Sequence, residues 1–260
     1  MEAFECVQAA RAKGRPTGTD FINHIFEDFI EMHGDRRFGD DKAIVAGIAR
    51  LNGLPVTVIA LERGHDTKEK LFRNFGSAHP EGYRKALRQM KLAEKFHRPV
   101  VCFVDTAGAF CGIAAEERGQ AQAIAENLYE MMTLKTPILS IFIGEGGSGG
   151  ALGLAVADEV WMLENAVYSV ISPEGCASIL WKDSSKVREA AACLRMTAQD
   201  LLEFGIIEKV IPEEQNQFEE VYQSLKAELY EKLSHNATLP IQQLLDNRYN
   251  RFRRLGAGNG

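Results

Sequence analysis

Long apolar runs are missing from this 260-residue sequence, and none approaches the roughly 20 residues that a membrane-spanning helix requires. A surplus of basic residues is missing as well, since the formal net charge is −6 and the pI is about 5.6. General nucleic-acid binding needs a basic surface, so this charge argues against that function. The first six residues have neither a basic start nor an apolar core, and we therefore expect no signal peptide.

Cysteine is scarce and scattered. The five cysteines are Cys6, Cys102, Cys111, Cys176 and Cys193. No two of them have the spacing of metal ligands, so we expect neither a structural zinc ion nor a disulfide framework. Cys102 lies in an apolar run and is interpreted as a packing residue. These features favour a cytoplasmic protein.

Apolar runs alternate with amphipathic segments through the middle of the chain. Residues 43–49 and 55–61 predict a β-hairpin around Asn52-Gly53, a strong turn signal. Further strands are predicted at residues 99–104, 137–143 and 159–163, with a helix at residues 116–135. This order predicts an α/β fold with mainly parallel strands. Because we find no internal repeat and no low-complexity linker, we expect a single domain over residues 1–260.

Several flanking segments allow two interpretations each. Asp20 could cap a helix over residues 21–30, and the charged segment 33–40 after it is either a solvated loop or a ligand or subunit contact. A helix beginning near residue 81 has a basic face that is solvated or receives a phosphorylated ligand. Beyond a long helix at residues 215–234, the basic and aromatic residues 249–254 form either a solvated tail or a helix packed on a partner.

The most distinctive stretch is residues 143–153, which contains six glycines in eleven residues. It follows an apolar run and precedes the apolar segment 151–157, which predicts a strand, a glycine turn and a helix. Glycine has no Cβ, so a ligand can approach the backbone closely, and free N–H groups at a helix start favour negative charge.

A second glycine turn, Gly108-Ala109, follows the strand predicted at residues 99–104. Ligands gather at the carboxyl ends of neighbouring parallel strands. Backbone N–H groups from the two turns could therefore converge on one oxygen as an oxyanion hole. Tight packing of helix on sheet, without any catalytic role, is the alternative.

Other motif interpretations have less support. The glycine stretch lacks the lysine of a phosphate-binding loop, and no acidic residue is placed for a dinucleotide fold. Ser148 could be a nucleophile on a strained turn, but a hydrolase also needs a base, and the six histidines show no such pairing. Glu116 and Glu117 could act as acid and base, or could merely favour the start of a helix.

Taken together, several segments closely resemble one known family. They are residues 64–69, 73–76, 80–86, 115–120, 144–153 and 168–181. The sequence resembles the alpha subunit of the bacterial and plastid acetyl-CoA carboxylase carboxyltransferase, from about residue 15 to residue 255. The resemblance implies a crotonase-like α/β fold of stacked β-β-α turns, so that residues 1–260 would form one carboxyltransferase domain with helical termini.

The resemblance also implies an activity and its partners. The chain would help to move a carboxyl group from carboxybiotin, carried on a separate carrier protein, to acetyl-CoA, giving malonyl-CoA for fatty-acid synthesis. Carboxybiotin and acetyl-CoA are substrates, and no covalently bound cofactor is implied. The implied partners are a zinc-ribbon beta subunit in an α₂β₂ assembly, the biotin carboxyl carrier protein and biotin carboxylase.

For the site, the resemblance implies backbone donors rather than catalytic side chains. The catalytic residues would be Gly149, Gly150, Gly108 and Ala109, the substrate-binding residues Gly146, Gly147 and Gly112, and no metal would be bound. At the first turn, Ala107, Phe110 and Cys111 replace the Pro, Tyr and Pro that are common in the family. A catalytically impaired paralogue with a binding or regulatory role is therefore an alternative, as is a self-sufficient crotonase-type hydratase or isomerase.

Overall fold

The computed structural model describes residues 1–213 and 218–256. Its strands are β1 (Glu27–Glu31), β2 (Ile44–Leu51), β3 (Leu54–Leu61), β4 (Val100–Thr106), β5 (Ile138–Gly147), β6 (Glu159–Leu163), β7 (Val167–Ser169) and β8 (Lys209–Ile211). Its helices are α1 (Ala3–Ala10), α2 (Gly18–Ile25), α3 (Thr67–Phe72), α4 (Pro80–Lys95), α5 (Ile113–Glu117), α6 (Gln120–Thr133), α7 (Ser148–Leu152), α8 (Pro173–Leu180), α9 (Val187–Leu194), α10 (Ala198–Glu203), α11 (Phe218–Thr238) and α12 (Ile241–Arg254). Short 3₁₀ turns occur at Asn74–Gly76 and Ser184–Lys186.

Within these residues the strands form one eight-stranded sheet. Its order is β1-β2-β3-β4-β5-β6-β8, and β7 pairs with the end of β5. Pairing is antiparallel from β1 to β3 and parallel from β3 onward. All seven residues of β4 are buried, as expected for a strand covered on both faces. The predicted α/β fold with mainly parallel pairing is confirmed.

The hairpin of β2 and β3 forms around the predicted turn. Asn52 and Gly53 both have positive φ, at 49° and 82°, which is the geometry that favours Asn-Gly between two strands. Leu51 pairs with Leu54, and the register continues without a break to the pair of Ile44 and Leu61. Residues adjacent in sequence determine this hairpin, so the sequence predicts it well.

The helix predicted over residues 21–30 is wrong in its second half. Helix α2 ends at Ile25, its N-cap is Thr17, and Asp20 completes the capping box. The chain then becomes extended and forms strand β1 against β2. A Cβ on Gly47 would lie 2.2 Å from the Ile30 carbonyl oxygen, so β1 approaches β2 at a position where only glycine fits.

The single helix predicted over residues 116–135 is two helices, α5 and α6. Gly119 lies between them with φ of 81°, in the left-handed region that glycine adopts without strain. A helical pattern tolerates an isolated glycine, so Gly119 did not by itself indicate the break.

The charged segment 33–40 is fixed to α4 through Asp35, which is 5% exposed. One Asp35 oxygen accepts hydrogen bonds from the backbone N–H groups of residues 37–39, and the other accepts from Arg84 Nε at 2.8 Å. Burial raises the pKa of Asp35, but these hydrogen bonds outweigh it and lower the pKa to about 2. Phe38 remains exposed, so the segment meets solvent at its tip and is anchored at its base.

The C-terminal residues form helices that pack on the chain itself. Helix α11 confirms the long helix, although the predicted start near residue 215 lies outside the described residues. Helix α12 buries Arg248 and, within residues 249–254, Arg251, whereas Tyr249 is exposed. These residues form a helix packed on the chain itself rather than a solvated tail, and their contact with a partner stays a prediction. None of the helices in residues 1–213 and 218–256 combines the length and apolarity that crossing a membrane requires.

Candidate active site

Strand β5 extends further into the glycine-rich stretch than predicted. The predicted strand end at residue 143 and helix at residues 151–157 are both wrong, because β5 continues to Gly147 and α7 covers only Ser148–Leu152. Strand β7 explains the difference: it pairs with Glu145, Gly146 and Gly147 and so keeps them extended. The sharp turn is therefore confined to the junction between Gly147 and α7.

This junction is in direct backbone contact with the turn that follows β4. A Cβ on Gly147 would lie 2.0 Å from the Ala107 carbonyl oxygen, and a Cβ on Gly150 would lie 2.3 Å from the Ala109 backbone nitrogen. Real Cβ atoms do not approach other atoms this closely, so both positions require glycine. The structure thus brings together the two turns whose backbone N–H groups the sequence placed in one site.

Two glycines border open space beside this contact. An added Cβ on Gly108, whose φ is 152°, would meet nothing within 4 Å. On Gly149 it would meet only Ile124 Cγ2, at 3.9 Å. The backbone at these two positions is therefore not covered by neighbouring side chains, as an approach by a ligand requires.

Gly146 and Gly112 lie against aromatic rings instead. An added Cβ would be 2.2 Å from the Phe142 ring at Gly146 and 2.5 Å from the Phe110 ring at Gly112. Ring packing is thus sufficient to explain glycine at both positions, and their contact with a substrate stays a prediction.

Two buried side chains that the sequence did not single out as site residues hold α7 in place. Tyr83 Oη donates to the Gly150 carbonyl oxygen at 3.0 Å, and Asn127 Nδ2 donates to the Gly153 carbonyl oxygen at 3.1 Å. Burial raises the pKa of Tyr83 well above its usual value, so the phenol keeps its proton. In the sequence, this positioning role was indicated only by the fact that Tyr83 and Asn127 each place a polar group on the buried face of a helix.

The turn after β4 is anchored without the two prolines that are common in the resembled family. The Phe110 backbone N–H donates to the Ala78 carbonyl oxygen at 3.0 Å, and Gln120 Nε2 donates to the carbonyl oxygens of both residues. The Phe110 ring stacks on His79 with a centroid distance of 4.2 Å. These contacts restrict the loop in place of the fixed φ that proline imposes.

Beneath the two turns lies a group of charged side chains, here called the strand-end cluster: Arg63, Asp105, Glu145 and Arg11. Arg63 Nε lies 3.7 Å from Asp105 Oδ1, and its guanidinium also contacts the Glu145 carboxylate. Arg11 Nε lies 2.7 Å from Glu145 Oε1. Burial raises the pKa of Asp105, and the charge of Arg63 opposes that shift. Both carboxylates are thus held by arginines.

A cavity of about 480 Å³ opens beside the glycine turn. Gly149 and Ser148 form one wall, and apolar side chains dominate the rest: Leu152, Tyr168, Val170, Leu201, Phe204 and Ile206. This volume lies in the range of pockets for small organic ligands. The cavity therefore offers an apolar space next to the backbone of Gly149.

The alternative catalytic side chains gain no support from their surroundings. Ser148 has φ of 50°, but within the described residues the histidine rings that form hydrogen bonds contact Asp20, Asp40 and Glu69 instead. Glu116 and Glu117 are exposed on α5. Over the same residues, no group of three His, Cys, Asp or Glu side chains is arranged to hold a metal ion.

Known proteins resemble the chain over most of its length. A family described as "Acetyl co-enzyme A carboxylase carboxyltransferase-like" matches residues 1–256. The acetyl-coenzyme A carboxylase carboxyl transferase subunit alpha of Ruminiclostridium cellulolyticum is 64% identical over 256 residues, which cover 98% of each chain.

Solved structures share the architecture at lower identity. Transcarboxylase 12S, with hydrolysed methylmalonyl-coenzyme A bound, matches with a TM-score of 0.73 at 20% identity, over 92% of this chain. The match spans only 45% of the transcarboxylase chain. A Pseudomonas malonate decarboxylase hetero-tetramer in complex with coenzyme A matches with a TM-score of 0.67 at 19% identity, over 84% of this chain and 92% of that one.

These likenesses confirm the predicted crotonase-like fold and the family resemblance. The chain therefore belongs to the acetyl-coenzyme A carboxylase carboxyltransferase family, in which its relatives are alpha subunits.

Proposed function

We propose that this chain moves the carboxyl group of carboxybiotin to acetyl-CoA, giving malonyl-CoA, and that backbone N–H groups stabilise the transition state. The observation that carries the mechanism is the backbone contact between the turns at Gly150 and Ala109. This close approach of two strand ends, beside the uncovered positions Gly108 and Gly149, supports a shared set of backbone donors.

The chemistry calls for such donors. When carboxybiotin releases CO₂, the electron pair of the broken N–C bond stays on biotin, and negative charge develops on its ureido oxygen. Backbone N–H groups of Gly149 and Gly150, with those of Gly108 and Ala109, would donate hydrogen bonds to that oxygen. The biotin nitrogen then takes a proton from the acetyl methyl group, and the methyl carbon of the resulting enolate, stabilised by the beta subunit, bonds to the released CO₂ to give malonyl-CoA.

The surrounding carboxylates support a mechanism in which the substrate itself supplies the base. Asp105 and Glu145 are the acidic side chains of the strand ends, and arginines hold both of them below the turns. A hydratase or isomerase of the crotonase type would need a free acid or base beside its ligand. This arrangement favours carboxyl transfer over that alternative.

The anchored turn after β4 favours an active subunit over an impaired paralogue. Phe110 and Gln120 restrain the loop by hydrogen bonds and ring stacking, although Ala107 and Cys111 stand where prolines are common. A loop fixed in this way keeps its N–H groups preorganised, which oxyanion stabilisation needs.

The proposed assembly follows from the subunit name of the relatives. An alpha subunit implies a partner, and we propose a zinc-ribbon beta subunit in an α₂β₂ complex that works with the biotin carboxyl carrier protein and biotin carboxylase. Residues 1–260 would form one carboxyltransferase domain, in the cytoplasm, with carboxybiotin and acetyl-CoA as substrates and no covalently bound cofactor.

The test uses the complex of this chain with the beta subunit co-purified from its native source. Transfer is measured in reverse, from malonyl-CoA to biocytin. Gly150→Ala places a Cβ against the Ala109 nitrogen, and we expect the displaced donors to lower kcat by roughly a hundred- to a thousandfold. Gly47→Ala is the matched control, because its Cβ meets the Ile30 carbonyl oxygen at a similar distance of 2.2 Å, at the far side of the sheet.

We expect Gly47→Ala to lower the stability of the chain while the folded complex keeps its kcat. Unchanged turnover in the Gly150→Ala complex would refute the role of the two turns. Hydration of crotonyl-CoA by the chain alone would instead favour the hydratase alternative. If the wild-type complex assembles stably and transfers no carboxyl group, the chain is an impaired paralogue.

A further inference from the structure

The pairing of β4 with β5 contains a register shift just before the two turns. Val104 pairs with Phe142, yet Thr106 pairs with Gly146, so β5 advances four residues while β4 advances two. Such an irregularity leaves backbone groups without their usual partners in the sheet. Each of those groups needs another partner when it is buried.

Charged side chains provide those partners. The Glu145 backbone N–H donates to Asp105 Oδ1 at 2.9 Å, and the Ile143 carbonyl oxygen accepts from Arg15 Nε at 2.8 Å. The Asp105 carboxylate lies so close to the shifted segment that a Cβ on Gly144 would be 2.4 Å from Oδ1. Asp105 therefore fills the space that the register shift creates.

The shift decides which residues of β5 meet the turn after β4. If the register before the shift continued, Ala107 would lie opposite Glu145, two residues earlier on β5. With the shift, Gly147 lies against Ala107 instead, since its added Cβ would be 2.0 Å from the Ala107 carbonyl oxygen. The contact between the two turns thus depends on the two additional residues of β5.

Arg63 offsets part of the energetic cost of burying the Asp105 carboxylate at the end of β4. The side chain of Asp105 is 6% exposed and that of Arg63 is 15% exposed. A buried carboxylate without a partner is strongly destabilising, whereas an arginine beside it stabilises the charged form. Arg63 follows β3, so three neighbouring strands contribute to the strand-end cluster at their carboxyl ends.

We propose that Asp105 and Arg63 are positioning residues, whose ion pair holds the register shift that brings the glycine turn of β5 against the turn after β4. Neither side chain lines the cavity beside Gly149. The inference rests on the proposed function of the two turns. It adds that the ion pair sets the distance between their N–H groups. Misplacing a reacting group by about 1 Å can cost on the order of a hundredfold in rate.

The chain offers a closely matched control at the other end of the same strand. Asp158 Oδ2 accepts from the backbone N–H of Ile138, the first residue of β5, at 2.7 Å. Its carboxylate pairs with buried Arg248, and its side chain is 6% exposed, like that of Asp105. Asp105 and Asp158 therefore differ mainly in which end of β5 they hold.

The experiment compares Asp105→Asn with Asp158→Asn in the complex with the beta subunit, again by transfer from malonyl-CoA to biocytin. We expect Asp105→Asn to lower kcat by about a hundredfold with little change in KM, because the N–H donors move while the acetyl-CoA half of the site stays intact. Asp158→Asn should lower the unfolding midpoint and leave both kinetic constants unchanged.

A second pair of variants covers the case in which Asp105→Asn does not fold. Arg63→Met should lower kcat as Asp105→Asn does, and Arg63→Lys should recover part of the loss because it restores a positive charge beside Asp105. Equal kcat values for the folded complexes of Asp105→Asn, Asp158→Asn and wild type would overturn the inference. So would an Arg63→Lys complex no faster than Arg63→Met.

The outcomes separate this inference from the proposed function. If Gly150→Ala lowers kcat but Asp105→Asn has the same kcat as Asp158→Asn, the turns act as proposed and the ion pair does not position them. If Gly150→Ala turns over normally, the proposed role of the turns fails first, and the inference fails with it.

Discussion

Replacing Arg248 by methionine tests how α12 is held to the body of the protein. The side chain is fully buried and its guanidinium pairs with Asp158 at 2.8 Å. It also donates to the carbonyl oxygens of Met131, Leu134 and Thr136 at 2.7, 2.8 and 2.9 Å. Arg248→Met leaves a buried carboxylate and three carbonyls without this donor. Breaking a buried pair costs about 3–5 kcal/mol, and we expect a loss of that size in the free energy of unfolding.

Urea denaturation followed by circular dichroism measures this loss. Arg248→Lys is the conservative control, since an ammonium keeps the charge beside Asp158 but cannot reproduce the planar set of donors that arginine offers. We expect its loss of stability to lie between wild type and Arg248→Met. An Arg248→Met chain within about 1 kcal/mol of wild type would refute the reasoning, because it is well below the loss expected for an uncompensated buried charge.

Two further predictions concern single side chains. Asp35 has a pKa of about 2 in the folded chain against a usual value of 3.8, so its contribution of about 2 kcal/mol is present above pH 3.8 and is lost as the pH falls through 2. Acid unfolding of Asp35→Asn should therefore depend less on pH in this range, and identical pH curves would contradict the assignment. Tyr83→Phe removes the hydrogen bond to the Gly150 carbonyl oxygen, and we expect a loss of about 1 kcal/mol in stability together with a several-fold lower kcat. An unchanged kcat would show that α7 holds its position without Tyr83.

The parts of the fold that depend on residues close together in sequence could be predicted from the sequence. Asn52-Gly53 fixes its hairpin through its own backbone preferences, and the alternation of apolar runs with amphipathic segments led to the α/β class. The meeting of the two glycine turns also followed from a general rule, because the carboxyl ends of adjacent parallel strands lie at one edge of a sheet.

The remaining features depend on residues that are far apart in sequence. The strand at Glu27–Glu31 forms because Gly47 admits its backbone, which a helical pattern at residues 21–30 does not reveal. The register shift depends on how Asp105 meets Glu145, 40 residues away. The basic residues 249–254 allowed a solvated tail, yet they share a helix with Arg248, whose guanidinium is buried among carbonyls. Charge patterns alone do not distinguish an anchored arginine from a solvated one.

Strand β5 is held at its two ends by arginines that lie far from it in sequence. Arg11 reaches Glu145 across 134 residues, and Arg248 reaches Asp158 across 90. A growing polypeptide cannot neutralise the buried Asp158 until residue 248 has been made. Contacts between such distant residues require the loss of loop entropy before they contribute stability, which slows folding. The strand that bears the glycine turn is therefore fully secured only after α12 has been made.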